Sequence, residues 1–211
     1  MKRSLLILFL LISFFSLNSV ASNSAKFEGF VEYVIKKGDT LSKIAQFEEV
    51  AEIILKVNRI DRAHFIPGKK ILVPINEKVA KNFCPVPRKI NDKSERVIYF
   101  FLDVQYFGAY EKGNLILWGP ISSGKRNSTP QGKFYVQWKS KNYFSKKYKA
   151  KMNFAVNFYK GFFFHEQSLP GYPVSHGCIR LLRKDAEKIF NWIQRNDPVI
   201  VTKLKNFKNS K

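Results

Sequence analysis

The chain has 211 residues, carries 37 Lys and Arg against 16 Asp and Glu, and is 45% hydrophobic. This length suits one or two domains. The apolar fraction is too high for an intrinsically disordered chain, and neither Gly nor Pro recurs with the period of a fibrous protein. Two cysteines exclude a framework of several disulfides and a four-cysteine metal site. The chain is therefore a folded protein with a net charge of +21.

The N-terminus has the pattern of a secretory signal peptide over residues 1–21. Lys2 and Arg3 precede an apolar run, and Ser19-Val20-Ala21 places small residues at the two positions that a signal peptidase reads. The run is shorter than the roughly 20 apolar residues of a membrane span. We therefore expect cleavage, export to the periplasm or cell envelope, and no transmembrane segment in the mature chain. Export argues against nucleic acid as the partner of the positive charge, although lysine clusters attract phosphate.

Residues 31–75 predict a small module in the order strand, helix, helix, strand. Residues 31–37 are strand-like, and Thr40 is a candidate N-cap for a helix that begins at Leu41. Residues 50–57 carry apolar side chains at helical spacing, and Pro67-Gly68 marks a turn before a closing strand at residues 71–73.

This module resembles a LysM domain over its full length. The resemblance is carried by Tyr33-Val34-Ile35-Lys36-Lys37-Gly38-Asp39-Thr40-Leu41, Ile44-Ala45, Val57-Asn58, Ile66-Pro67-Gly68 and Leu72-Val73-Pro74. It implies binding of glycans that contain N-acetylglucosamine, which in a bacterial wall means peptidoglycan. The implied groove is formed by Gly38, Asp39, Thr40, Leu41 and Ile66. Turn formation and helix capping explain Gly38 and Asp39 equally well.

Residues 76–95 are predicted to be a linker, because they contain two prolines and follow neither the helical nor the strand period. From residue 96 to 203, short apolar runs rich in aromatic and β-branched residues predict a mainly-β domain. One helix is expected near residues 184–195. Residues 204–211 would form a basic tail. The lysine-rich stretch at residues 139–151 is interpreted as a solvated loop, with stacking of nucleic-acid bases on its aromatic residues as a weaker alternative.

The residues with the clearest chemistry lie between positions 161 and 180. His165 ends an apolar strand, and a Pro/Gly-rich turn leads to Ser175-His176-Gly177-Cys178. A thiol near imidazoles is the composition of a cysteine nucleophile with a general base. A neighbouring imidazolium would lower the thiol pKa from about 8.5, and Gly177 would let backbone amides turn toward an oxyanion. Three alternatives stay open: a Cys84–Cys178 disulfide, a zinc site, and an inert buried thiol.

Ser175-His176-Gly177-Cys178-Ile179-Arg180, preceded by His165, resembles the L,D-transpeptidase catalytic domain of the YkuD family. Thr129-Pro130-Gln131-Gly132-Lys133-Phe134 resembles that family's Thr-Pro-x-Gly-x-Phe segment, and the likeness covers residues 96–203. It implies a YkuD-like β-sandwich with one C-terminal helix, so the whole chain would be a two-domain α+β protein. Nine residues separate His165 from Ser175, which predicts a short lid over the site.

The resemblance also implies a mechanism on peptidoglycan stem peptides. Cys178 would attack the carbonyl of the third stem residue, a diaminopimelate centre, and expel the terminal D-alanine. His165 would act as the base, oriented by the backbone carbonyl of Glu166, and amides around His176, Gly177 and Cys178 would form the oxyanion hole. Ser175 and Arg180 would hold the loop or the substrate. Neither a metal nor an organic cofactor is needed.

The acceptor of the acyl group is left open by the sequence. A stem amine would give 3–3 crosslinks that serve wall organisation and cell shape, whereas an amine of an envelope protein would anchor that protein. Water as the acceptor would make the chain an L,D-carboxypeptidase or another hydrolase. A peptidoglycan-binding protein with a silent second domain is the non-enzymatic alternative.

Overall fold

The computed structural model describes residues 27–208. The predicted signal peptide, residues 1–21, lies outside this part of the chain. Within it, no helix is both long and apolar enough to cross a membrane.

The N-terminal module has the predicted strand-helix-helix-strand order. Its elements are β1 (Phe30–Val34), α1 (Leu41–Ala45), α2 (Glu48–Asn58) and β2 (Lys70–Pro74). The two strands are antiparallel, with Phe30 opposite Pro74. Thr40 caps α1 as expected, because its hydroxyl accepts a hydrogen bond from the Lys43 amide at 3.3 Å. Ile35, Ile54 and Ile71 are almost fully buried and form the centre of the module's own core.

The predicted linker contains a short helix, α3 (Glu77–Asn82). The Asn76 side chain caps it by accepting a hydrogen bond from the Val79 amide at 2.9 Å. Phe83 then packs edge-on against Trp118 of the second domain, with ring centroids 5.6 Å apart. The helix was missed because its six residues are too few to reveal a helical period.

The second domain is one continuous nine-stranded sheet with two short helices. Its strands are β3 (Arg96–Phe101), β4 (Tyr106–Glu111), β5 (Asn114–Ser122), β6 (Gly132–Tyr135), β7 (Trp138–Ser145), β8 (Ala150–Tyr159), β9 (Phe162–Glu166), β10 (Ile179–Leu181) and β11 (Pro198–Thr202). Their order across the sheet is β6-β11-β3-β4-β5-β10-β9-β8-β7. The sheet curls so that Phe134 of β6 packs on Phe158 of β8, with ring centroids 5.4 Å apart.

The main core lies between the curled sheet and the helix α4 (Arg183–Trp192), which confirms the predicted C-terminal helix. Ala186 and Ile189 of α4 are buried against Phe100, Phe158 and Phe164 of the sheet. Residues of the predicted basic tail form a further helix, α5 (Leu204–Lys208), which begins with the buried Leu204. Residues 209–211 lie outside the described chain.

The lysine-rich stretch at residues 139–151 is a β-hairpin rather than a loop. It belongs to β7 and β8, which pair from Trp138–Asn157 to Ser145–Ala150. Lysines concealed the strand pattern because they are depleted in strands generally but are accepted at a sheet edge. Lys139 stabilises the neighbouring helix, since its ammonium donates to the Phe190 and Ile193 carbonyls at the end of α4.

The two domains pack against each other through a buried ion pair. The Lys56 ammonium of α2 donates to Asp185 of α4 at 2.9 Å and to the Trp118 carbonyl of β5 at 3.1 Å. Tyr106 of β4 donates its hydroxyl to the Val57 carbonyl at 2.8 Å. These contacts attach the long helix of the first domain to the side of the second.

Candidate active site

Two adjacent parallel strands, β9 and β10, position His165 and Cys178. His165 is in β9, and Cys178 immediately precedes β10, where Arg180 pairs with His165. Cys178 packs with Phe163, Met152 and Ala155. Phe163 and His165 share one face of β9, since side chains alternate along a strand. The sheet register therefore directs the thiol and the imidazole to the same face.

The imidazole of His165 has a defined orientation. Its Nδ1 lies 2.7 Å from the backbone oxygen of Glu166. Because a carbonyl oxygen only accepts hydrogen bonds, Nδ1 carries the proton. In the neutral ring, Nε2 is then the unprotonated nitrogen. His165 is thus ready to accept a proton without an aspartate partner.

Burial favours the neutral forms of the Cys178 thiol and the His165 imidazole. Only 8% of Cys178 and 3% of His165 is exposed. Burial raises the pKa of the Cys178 thiol, and a backbone hydrogen bond with Phe163 and the charges of Arg180 and Lys147 offset this only in part. Burial lowers the pKa of His165 to about 4, against the opposing effect of the Glu166 carbonyl. At neutral pH the site therefore contains a thiol and a neutral imidazole, which differs from the thiolate–imidazolium pair considered from sequence.

Ser175 holds the turn that carries Cys178. Its hydroxyl donates to the Cys178 carbonyl and accepts from the Gly177 amide at 2.9 Å. Gly177 has a φ of +134°, which an L-residue rarely adopts. Because the Gly177 amide is already bonded to Ser175, the amides of His176 and Cys178 are the better candidates for an oxyanion hole.

Thr129 is a site residue whose part in the turn the sequence did not reveal. Its buried hydroxyl donates to the Gly177 carbonyl at 2.9 Å and accepts from the Gly124 amide at 2.8 Å. Gly124 lies so close that an added Cβ would approach Gly177 Cα to 2.9 Å. The Thr-Pro-x-Gly-x-Phe segment was a signal of family likeness, but its contact with the turn depends on the folding of residues far apart in sequence.

The remaining predicted residues lie around this pair. Arg180 is half-buried and donates to the Ser168 carbonyl at 3.3 Å. His176 is exposed, and its ring stacks on Tyr148 at the tip of the β7–β8 hairpin, with centroids 5.4 Å apart. The Glu166 carboxylate accepts from Asn153 at 2.8 Å. That residue faces away from Cys178, since His165 and Glu166 alternate along β9.

In the first domain, the residues of the implied glycan groove share one end of the module. Ile35 and residues 68–69 exchange backbone hydrogen bonds, which brings the Ile66 turn beside the Gly38 turn. Gly38, Thr40 and Ile66 are exposed, whereas the Leu41 side chain is buried in the core. Asp39 accepts from the Tyr33 hydroxyl at 2.7 Å and the Lys36 amide at 2.8 Å, so it also stabilises the turn.

Two alternatives for Cys178 can be compared with this geometry. Cys84 and Cys178 are both free thiols, so the alternative of a disulfide between them is wrong. Among residues 27–208, no three His, Cys, Asp or Glu side chains are grouped to hold a metal ion.

Comparison with known proteins gives matches for both domains. The family model of the YkuD L,D-transpeptidase catalytic domain matches residues 92–201, and that of the LysM domain matches residues 33–74. No curated protein matches the chain.

Solved structures that share the fold include two L,D-transpeptidases. An L,D-transpeptidase from Xylanimonas cellulosilytica is 23% identical, with a TM-score of 0.55 over 72% of this chain and 79% of that one. The L,D-transpeptidase (Yku) of Stackebrandtia nassauensis is 20% identical, with a TM-score of 0.51 over 76% and 73% of the two chains. The match of the catalytic-domain model over more than half of the sequence shows that this chain belongs to the YkuD family of L,D-transpeptidase catalytic domains, here preceded by a LysM domain.

Proposed function

We propose that the chain is an exported L,D-transpeptidase that acts on peptidoglycan stem peptides through a Cys178 thioester. The observation that carries this proposal is the orientation of His165. Its Nδ1–H is committed to the Glu166 carbonyl, so Nε2 is the nitrogen that accepts the thiol proton.

In the first step, the Cys178 sulfur attacks the carbonyl carbon of the third stem residue while the thiol proton moves to His165 Nε2. Transfer during the attack suits the neutral pair, because the low pKa of His165 disfavours a standing imidazolium. The amides of His176 and Cys178 stabilise the oxyanion. The C–N bond to the terminal D-alanine then breaks, and the imidazolium returns its proton to the leaving amine.

In the second step, an amine attacks the thioester carbonyl and gives its proton to His165. The C–S bond breaks and the thiol is restored. A stem amine forms a 3–3 crosslink, and an amine of an envelope protein attaches that protein to the wall. The positive charge of Arg180 next to this centre is suited to a substrate carboxylate.

The LysM domain supports peptidoglycan as the substrate, since it would hold the glycan whose stems the second domain modifies. The exposed turns at Gly38 and Ile66 present backbone groups and an apolar side chain to a sugar. The protein would act in the periplasm or cell envelope.

The test is mass analysis of peptidoglycan digests after incubation with the mature protein. Cys178→Ala is the inactive variant, and Cys84→Ala is the matched control, because it removes the other thiol of the chain. We expect 3–3 dimers with the wild-type protein and with Cys84→Ala, and none with Cys178→Ala. Tripeptide stems without dimers would instead identify a carboxypeptidase. An unchanged digest in all three samples would contradict the proposal.

A further inference from the structure

The segment between His165 and Ser175 is attached to the LysM domain. The Asp61 amide donates to the Leu169 carbonyl at 3.0 Å, and the Leu169 amide donates to Asp61 Oδ2 at 2.9 Å. Lys69 donates its ammonium to the Pro170 carbonyl at 3.1 Å, and Ile60 forms an isolated antiparallel bridge with Pro170. Leu169 and Pro170 are therefore attached to the LysM domain through both backbone and side-chain groups.

The same segment supports Arg180 from the other side. The Ser168 carbonyl accepts from Arg180 Nη1 at 3.3 Å, next to the residue that Asp61 holds. Arg180 lies opposite His165 in the β9–β10 pairing, and its charge acts on both His165 and Cys178. An unbroken set of contacts thus runs from Asp61 through Leu169 and Ser168 to Arg180.

The Asp61 carboxylate is ionised and held in a fixed position, so it can support the Leu169 segment. Burial raises its pKa, but hydrogen bonds from His64, Leu169 and Ser168 outweigh this, so the pKa lies below its usual value. The carboxylate is therefore charged at neutral pH. Its Oδ1 accepts from the His64 amide at 3.1 Å, which caps the turn at Arg62–His64 and fixes the Asp61 side chain. Leu169 is fully buried, so the segment cannot shift without exposing it.

We propose that Asp61 of the LysM domain is a positioning residue of the active site, which fixes residues 168–171 and through them Arg180. This inference rests on the proposed function for its kinetic readout. It gives the LysM domain a part in catalysis that is independent of glycan binding. Asp61 itself does not contact the reacting atoms.

The first test uses a stem tetrapeptide without glycan, so that binding of sugar by the LysM domain has no influence. Misplacing a group of the active site by about 1 Å can cost about a hundredfold in rate; because Asp61 acts indirectly, we expect Asp61→Ala to lower kcat/KM by about tenfold. Lys184→Ala is the matched control. It removes the exposed Lys184–Glu52 contact between the same two domains at 3.0 Å without touching the segment, and should retain activity.

The second test asks whether Asp61 acts through Arg180. If it does, Asp61→Ala should lower kcat/KM by about tenfold in the wild-type background and by less than about twofold in an Arg180→Ala background. An equal loss of kcat/KM in the two backgrounds would show that Asp61 does not act through Arg180. Lys69→Met is a second variant, which weakens the same contact but leaves the cap of the Arg62–His64 turn intact. We expect a smaller loss in the same direction, and wild-type activity would count against the proposal.

Hydrogen exchange separates failure of this inference from failure of the proposed function, because it needs no turnover. In the wild-type protein the Leu169 amide should be protected, and Asp61→Ala should accelerate its exchange by at least about tenfold. Lys184→Ala should leave that exchange unchanged. The Leu169 amide could remain protected in Asp61→Ala while the free energy of unfolding is also unchanged. Asp61 would then not hold the segment, and the inference would be wrong whether or not the protein is a transpeptidase.

Discussion

The two parts of the segment between His165 and Cys178 are supported in different ways. Residues 175–178 are held by the catalytic domain itself, through the Ser175 hydroxyl, the Thr129 hydroxyl and the close approach of Gly124. Residues 168–171 are held by Asp61 and Lys69 of the LysM domain. The turn that carries Cys178 is thus stabilised within its own domain, whereas the adjoining segment depends on contacts with a second domain.

Gly177→Ala is expected to have the largest effect on the turn that carries Cys178 and on the rate of Cys178 acylation. Its φ of +134° disfavours an L-residue, and the new Cβ would lie 2.5 Å from the Phe162 ring. The turn would have to move, and a displaced nucleophile can lose on the order of a hundredfold in rate or more. Gly161→Ala is the matched control, because a Cβ there meets nothing within 4 Å. Rates of Cys178 acylation by a stem peptide compare the two, and equal rates would show that the turn tolerates the change.

Lys56→Met weakens the contact between the two domains at a position outside residues 168–171. This change leaves Asp185, which is 2% exposed, without its ammonium partner. Breaking a buried pair in this way typically costs about 3 kcal/mol or more, measurable by urea unfolding. Replacing both residues, in Lys56→Met with Asp185→Leu, should recover much of that loss. A full loss in the double variant would contradict this explanation.

The loss in Lys56→Met should also depend on pH. Burial raises the pKa of Asp185 and the Lys56 ammonium lowers it, so removing Lys56 raises this pKa further, and the folded variant binds a proton more tightly than the folded wild-type protein does. The stability of the variant then falls more than that of the wild-type protein as pH rises above the usual aspartate pKa. We therefore expect a larger deficit at alkaline than at acidic pH. Lys184→Ala, which breaks an exposed pair, should cost less than about 1 kcal/mol at either pH.

The difference between the two supports also explains what could be predicted from sequence. Cys178, His165 and the LysM turn at Gly38 lie in short contiguous motifs, so their residue types and spacing predict them as candidate site residues. Thr129, Asp61 and Lys56 act across 48, 108 and 129 residues of chain. No local pattern encodes such a contact, because it depends on how the sheet curls and the domains pack. The strand β10 has only three residues, too few to show a strand period in the sequence.

Thr129→Val also tests the support of the Cys178 turn, but its expected effect is smaller than that of Gly177→Ala. The substitution keeps the shape of the side chain but removes its hydroxyl, and so leaves the Gly124 amide and the Gly177 carbonyl without this partner. A buried polar group left unpaired costs about 1–3 kcal/mol. We expect a lower melting temperature and a fall in kcat of about tenfold. Thr202→Val, at the end of β11, is the control, and a similar fall in that variant would show that the effect is not local.

The charge states of Cys178 and His165 can be tested through the reactivity of the thiol. Since burial raises the Cys178 pKa and lowers that of His165, alkylation of Cys178 by iodoacetamide should be slow at neutral pH. Its rate should rise with pH only above the usual range of a thiol. His165→Gln should barely alter this profile, because a neutral imidazole lends the thiolate no charge. A thiolate–imidazolium pair would instead give a plateau near neutral pH that His165→Gln removes, and the proton would then have to move before the attack rather than with it.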